Sequence, residues 1–228
     1  MICGRYEHPA SACFDEFDVA IRQMTDKVVA LNAHVFPAPK GSIVYNTENL
    51  LLQVPDWKER WEGHELWDIS AENCALTGAK HVPIGWHASM ERFKPRPVPD
   101  IDIVFTGCMN ERRSKILDAL RLRRLHVVHI DAGTLYGADR DEILARSKLA
   151  LNIRYRDDMM FPLLRSAHLI ANRIPVLSED CPGVRGLSIP YDGLVDFAAQ
   201  LVCRREERLK VAEECYQMFR SHPMVLPS

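Results

Sequence analysis

Apolar positions in the second half of the chain fall into short, nearly continuous runs. Ile101–Thr106 (IDIVFT), Leu125–Ile130 (LHVVHI), Leu149–Ile153 (LALNI) and Ile174–Ser178 (IPVLS) are rich in branched residues, as strands buried on both faces are. Between them helical patterns cover Glu111–Arg123, Arg140–Ser147 and Phe161–Ala171, and two further helices are predicted over Asp192–Phe219. Strands alternating with helices about every 25 residues predict right-handed βαβ units and a parallel, doubly wound sheet.

The first half repeats the alternation with shorter elements. FDVAI near Phe17, GSIVYN near Ser42, ELWDIS near Glu65 and KHVPIG near Lys80 predict strands, and helices are predicted over Lys27–Ala33, Asp56–Glu62 and Ala71–Leu76. Between the halves, Phe93–Asp102 (FKPRPVPDID) packs Pro95, Pro97 and Pro99 into a polar stretch, the composition of a linker or hinge. The boundary is set near Pro99, giving domains 1–98 and 99–228 and, for two α/β halves, a ligand cleft between them at strand carboxyl ends.

One stretch carries a distinctive charge pattern. In IVFTGCMNERRSKIL, Gly107 follows a strand, and Arg112, Arg113 and Lys115 lie in the first turns of the next helix. Cations there oppose the helix dipole, so the arrangement fits an anion held by backbone amides and guanidinium forks. The alternative is that Glu111 offsets the charge and the arginines are solvated, since an exposed charge in that position costs only about 0.3–1 kcal/mol. Neither Gly-x-x-x-x-Gly-Lys-Ser/Thr nor Gly-x-Gly-x-x-Gly occurs, which weakens nucleoside triphosphatase and standard dinucleotide readings.

Composition narrows the classes further. With 228 residues, 47% of them hydrophobic, the chain can bury a sizeable core, and a net charge of −2 from 29 basic and 31 acidic residues excludes a global field for nucleic acid or anionic membranes. The seven cysteines (3, 13, 74, 108, 181, 203, 215) form no Cys-x-x-Cys pair or zinc grouping. No run of about 18 apolar residues occurs, so a soluble, cytoplasmic protein is expected, with its oligomeric state open.

Taken in order, SIVYNTENLLL, ELWDISAENCALTGAKHVPIGWHASMERF, DIDIVFTGCMNERRSKIL, LYGADRDEILARSKLALNIRY and FPLLRSAHLIANRIPVLSED resemble the short bacterial and viral glycosyltransferases related to the glycosyl transferase group 1 clan. The resemblance runs from about Ser42 to Asp180. It implies a GT-B type fold of two facing Rossmann-like domains, the N-terminal one abbreviated and on the acceptor side, the C-terminal one holding a nucleoside diphosphate sugar. On this resemblance Gly107, Asn110, Arg112 and Arg113 bind the donor diphosphate, and positive charge stabilises the leaving group without a metal. No cofactor is implied beyond the donor substrate.

Many relatives carry two glutamates eight positions apart before the small-Gly-x-Pro-Val strand; Met160 and His168 occupy those positions here. Asp157 or Asp158 could replace the first acid, with Arg165 and Glu179 flanking the nucleoside and sugar. Tyr136, in a turn with Gly137 and Arg140, is placed to stack on the base, or is an ordinary loop aromatic. For a base near the acceptor hydroxyl, the first half offers Glu48 and Asp68 ahead of Glu72 and His87; Asp68 could instead cap a helix, a role for which Ser70 is better placed. Trp86 and His87 are the acceptor-side candidates.

The expected activity is therefore hexosyl or pentosyl transfer to an acceptor hydroxyl on a glycan, small molecule, protein or, as in phage-type enzymes, modified DNA. The competing readings are a non-catalytic nucleotide or phosphosugar binding module, favoured by Met160 and His168 in place of the acids, and a flavodoxin-like or response-regulator domain, which has no use for the arginine pair.

Overall fold

A computed structural model describes residues 15–31, 33, 37–48, 50, 54–132, 134–159 and 161–227. They divide into two compact units, Met1–Ser89 with Pro223–Ser228, and Met90–His222. The division falls at Ser89/Met90, ahead of the proline-rich stretch, because that stretch is tied into the second unit. Arg96 N donates to Ala145 O at 2.7 Å, Arg146 Nε donates to Asp100 Oδ1 at 2.9 Å, and Asn172 Oδ1 accepts the amides of Arg92 and Phe93 at 2.7 and 2.9 Å.

The first unit is a four-stranded parallel sheet in the order β1-β2-β3-β4. Its strands are β1 (Val29–Ala30), β2 (Ile43–Asn46), β3 (Glu65–Asp68) and β4 (Lys80–His81). Helices α1 (Asp15–Met24), α2 (Trp57–Arg60) and α3 (Ala71–Thr77) belong to it. FDVAI is a helix and not the expected strand: Phe17, Ala20 and Ile21 are buried at helical spacing, while Asp18 and Arg22 form an i,i+4 ion pair on the outside. Five residues alternate well enough to mimic a strand; only the longer window shows the helical period. Conversely, β1 stands where a helix was expected, with Val29 and Ala30 paired to Ile43 and Val44. The helix predicted over Asp56–Glu62 shrinks to the single turn α2.

The second unit is a five-stranded parallel sheet of β5 (Ile101–Thr106), β6 (Val127–Ile130), β7 (Ser147–Asn152), β8 (Val176–Glu179) and β9 (Leu187–Ile189). Helices α4 (Glu111–Leu122), α5 (Gly137–Ala145), α6 (Leu163–Ala171), α7 (Leu194–Cys203) and α8 (Arg205–Arg220) accompany it. Ile103, Phe105, Leu149, Leu151 and Leu177 meet Leu117 and Leu120 of α4 and Leu194 and Leu201 of α7 in one core. The strand β9 escaped the sequence reading because it is three residues at the sheet edge, with Leu187 and Ile189 partly buried and Ser188 exposed.

The strand order β6-β5-β7-β8-β9 places the chain's reversal of direction between β5 and β7. In open parallel sheets the crevice outside the carboxyl ends of the strands at such a switch point is where ligands bind. Gly107 directly follows β5 and Ile153 directly follows β7, so fold topology alone singles out the glycine-led loop and the start of α4.

Candidate anion site at the carboxyl ends of the second sheet

Gly107 turns out of β5 at φ +137°, a region L side chains rarely adopt. A Cβ there would lie 2.6 Å from Arg165 Nη1. Its amide donates to Ile130 O at 3.0 Å, and its carbonyl lies 2.8 Å from His129 Nε2. Three residues on, Asn110 caps α4: Oδ1 accepts from Arg113 N at 3.0 Å, and Nδ2 donates to Tyr155 O at 2.8 Å, tying the loop after β7 to the helix start. Asn110, expected at the donor diphosphate, therefore shapes the start of α4 through these two bonds.

Arg112 presents both terminal nitrogens to the carboxylate of Glu179. Its guanidinium also stacks 3.9 Å from the Tyr191 ring centroid, and the Tyr191 hydroxyl donates to Arg112 O at 2.7 Å. Glu179 is fully buried and accepts from Arg154 as well, from Nε at 3.0 Å, Nη2 at 2.9 Å and the backbone amide at 3.0 Å. Burial by itself raises the Glu179 pKa, but the Arg112 and Arg154 hydrogen bonds overcome it, and the net direction is down. Glu179, expected to flank the nucleoside and sugar, has its oxygens held by two arginines and so orients them.

Arg113, expected at the donor diphosphate, lies deeper than Arg112. It is 6% exposed, donating from Nε to Ile153 O at 2.9 Å and from Nη1 to Cys108 O at 2.6 Å, with the Phe105 and Tyr155 rings 5.2 and 5.1 Å from its guanidinium. Burial lowers its pKa, yet an arginine stays cationic in a protein. It contributes field from below the surface, not an open fork. Arg165, from α6, lies across the strand ends, donating from Nη1 to Thr106 O at 2.7 Å and from Nη2 to Asn152 Oδ1 at 3.0 Å.

Arg112, Arg113, Arg154 and Arg165 thus gather around the ends of β5, β7 and β8 with the carboxylates of Glu179 and Asp157. Asp157 sits 3.1 Å from Arg112 with its side chain 83% exposed. Beside them a cavity of about 480 Å³ is lined by Asn110, Glu111, Arg112, Lys115 and Tyr191. Arg154, Asn152 and Tyr155 were missed in the sequence, where NIRY reads only as the end of a strand; the available signal was that polar residues directly beyond a parallel strand's carboxyl end face the crevice.

The other expected residues make the following contacts within their own units. Tyr136, expected to stack on the base, precedes α5; it is half-buried, with its hydroxyl turned inward. Asp158 pairs on the surface with Arg156. His168, 3% exposed, lies 2.9 Å from Asp141 Oδ1 and 3.2 Å from Arg140 Nη2, with Phe93 edge-on to its ring. It belongs to a buried polar network between α5 and α6 and does not stand in for a ligand-binding glutamate. Met160 lies outside the described residues.

In the first unit Asp68, 1% exposed, accepts from Asn46 Nδ2 at 2.7 Å, Ser70 N at 2.7 Å and Asn73 Nδ2 at 3.1 Å. Burial raises its pKa against these bonds. Asp68, expected as a candidate base, clamps the loop that leads into α3. Glu48 contributes its backbone to the same knot: its carbonyl accepts from Asn46 Nδ2 at 2.9 Å and Asn73 Nδ2 at 3.1 Å. Trp86 O accepts from Met224 N at 2.8 Å, where the chain end returns to the first unit. His87 Nδ1 lies 2.9 Å from Ser89 Oγ, in a local turn.

No family model matches the chain. Uncharacterized protein L137 of Acanthamoeba polyphaga mimivirus is 26% identical over 185 residues, which is 75% of this chain and 25% of that protein. Uncharacterized protein L140 of the same virus is 26% identical over 183 residues, 71% of this chain and 59% of that protein. Uncharacterized protein L138 is 30% identical over 118 residues, 50% and 13% of the two chains. The chain therefore spans less than two thirds of the length of these relatives. Among solved structures, AviGT4, a glycosyltransferase involved in avilamycin A biosynthesis, is similar at a TM-score of 0.41 and 13% identity, over 92% of this chain and 89% of that one. Among the described residues, no helix is long and apolar enough to cross a membrane.

Proposed function

We propose that the protein is a glycosyltransferase that takes a sugar from a nucleoside diphosphate sugar. The observation that supports it is the gathering of Arg112, Arg113, Arg154 and Arg165, with Glu179 and Asp157, at the topological switch point. Fixed guanidiniums at strand ends stabilise the charge that develops on a departing diphosphate, and because they are already oriented they need little reorganisation when the bond breaks. That role asks for no metal. The amides at the start of α4 add partial positive charge on the same side. The sequence resemblance from Ser42 to Asp180 supports the same reaction, in a GT-B arrangement of two Rossmann-like domains.

Titration calorimetry with inorganic pyrophosphate and nucleoside diphosphates, followed by an assay for hydrolysis of nucleoside diphosphate sugars, tests this reading. Binding with slow donor hydrolysis is expected, since water competes as acceptor. Binding without any turnover would favour a nucleotide-binding module, and absence of binding to every one of these compounds would remove the assignment.

A further inference from the structure

We propose that Tyr155 is the platform on which the donor's nucleobase stacks, an inference that rests on the anion-site reading and adds a specific residue to it. Tyr155 follows β7 directly after Arg154, at the switch point. Its backbone carbonyl is held by Asn110 Nδ2 at 2.8 Å, so the residue is anchored to the start of α4. Arg113 lies 5.1 Å from its ring centroid. The residue is nonetheless 42% exposed. The other exposed large hydrophobics, Val19, Leu76, Val98, Leu122, Leu209, Met218 and Val225, are remote in sequence from the strand ends that carry the cations.

An aromatic ring partly covered by a guanidinium and left open to solvent at the edge of a cationic crevice suits a ligand with a planar ring joined to an anion. A nucleoside diphosphate has both. The cation beneath polarises the ring, and an aromatic base above it removes apolar surface from water. Stacking is tolerant of base identity because every base has a π-face, so Tyr155 supplies affinity for nucleotides as a class. Discrimination between bases is left to edge contacts. Inorganic pyrophosphate has no ring and gains nothing from the tyrosine's π-face.

The experiment compares wild type with Tyr155→Leu, Tyr155→Ala and Tyr155→Phe by calorimetry, using uridine, adenosine and guanosine diphosphates and inorganic pyrophosphate, with melting temperatures recorded for each variant. Loss of the aromatic ring is expected to weaken all three nucleotides by roughly 5- to 100-fold while pyrophosphate affinity changes less than twofold. Tyr155→Phe is expected to retain nucleotide affinity within about threefold, because the face and not the hydroxyl does the stacking. Tyr155→Leu keeps apolar bulk at an exposed position and so controls for folding. Equal nucleotide affinity in the leucine variant and wild type, or parallel loss of pyrophosphate binding, would overturn the platform role while leaving the anion site standing. Failure of wild type to bind either pyrophosphate or nucleotides would overturn both.

Discussion

Arg112 and Glu179 form a two-pronged ion pair across α4 and β8, and the carboxylate they share with Arg154 is fully buried. A buried acid gripped by two guanidiniums leaves the assembly cationic while fixing the direction in which each fork points. Such pairs add little net stability when intact, but removing one partner strands a buried charge.

Replacing Glu179 by alanine is therefore expected to destabilise the second unit by about 3–5 kcal/mol. Urea denaturation would measure it. Added pyrophosphate should recover part of the loss in Glu179→Ala, and more than it adds to wild type, because the freed arginines then receive an anionic partner by mass action. A variant as stable as wild type would show that Glu179 does not organise the arginines.

Gly107→Ala is expected to lower pyrophosphate affinity by an order of magnitude or more. The new Cβ would meet Arg165 Nη1 at 2.6 Å in a backbone held at φ +137°, so the guanidinium must shift. The backbone strain adds about 1–3 kcal/mol of destabilisation. Calorimetry with thermal melting checks both; unchanged affinity would place the anion away from Arg165.

Asp68 offers a test between clamp and catalyst. In Asp68→Asn an amide NH₂ would face the donor Asn46 Nδ2 that the carboxylate now accepts at 2.7 Å, costing about 1–3 kcal/mol through an unsatisfied buried donor. Denaturation of this variant should show the loss. If stability is unchanged while donor turnover to an acceptor collapses, the clamp role fails.

Stability at low pH follows from Glu179 and Asp141. For Asp141, burial raises the pKa, but His168, Arg140 and Arg92 together bring it below the usual carboxylate value; Glu179 is likewise depressed. A depressed folded-state pKa means the stabilisation is fully present above the unfolded values, about 3.9 for Asp and 4.3 for Glu, and is lost as pH falls through the folded values. Urea midpoints should hold steady from neutrality to near pH 5 and fall below about 4. A plateau extending to pH 2 would contradict the protonation states assigned to these groups.

Asn172 holds the start of the second unit in place. Its side chain takes the amides of Arg92 and Phe93 and gives a hydrogen bond to Met90 O at 2.7 Å. Asn172→Ala removes these three hydrogen bonds, of which the one to Met90 O is buried, and should cost about 1–3 kcal/mol, the part-buried amides being relieved by water. Limited proteolysis should then cut near Met90–Phe93 much faster than in wild type. Equal cleavage rates would show that the other contacts hold the segment unaided.

The second unit was largely legible because β5, β7 and β8 are buried and so read as unbroken apolar runs, and α4 starts where Asn110 offers a capping side chain. The first unit was less so. Its strands β1 and β4 have two residues each, too few for periodicity to separate strand from helix. Of the site, Gly107 and the cations after it were visible as a local anomaly in charge. Their partners were not: Arg112 meets a glutamate 67 positions away, and Arg165 reaches Thr106 across 59.

By itself the sequence determined the βαβ alternation and the concentration of positive charge behind one strand, since hydrophobic period and helix-end electrostatics act over a few neighbouring residues. Tertiary structure alone decided which arginines are spent inside and which line the crevice. That outcome depends on what each guanidinium meets once distant strand ends are brought side by side: a buried carboxylate for Arg112, backbone carbonyls for Arg113, and strand ends at the switch point for Arg165.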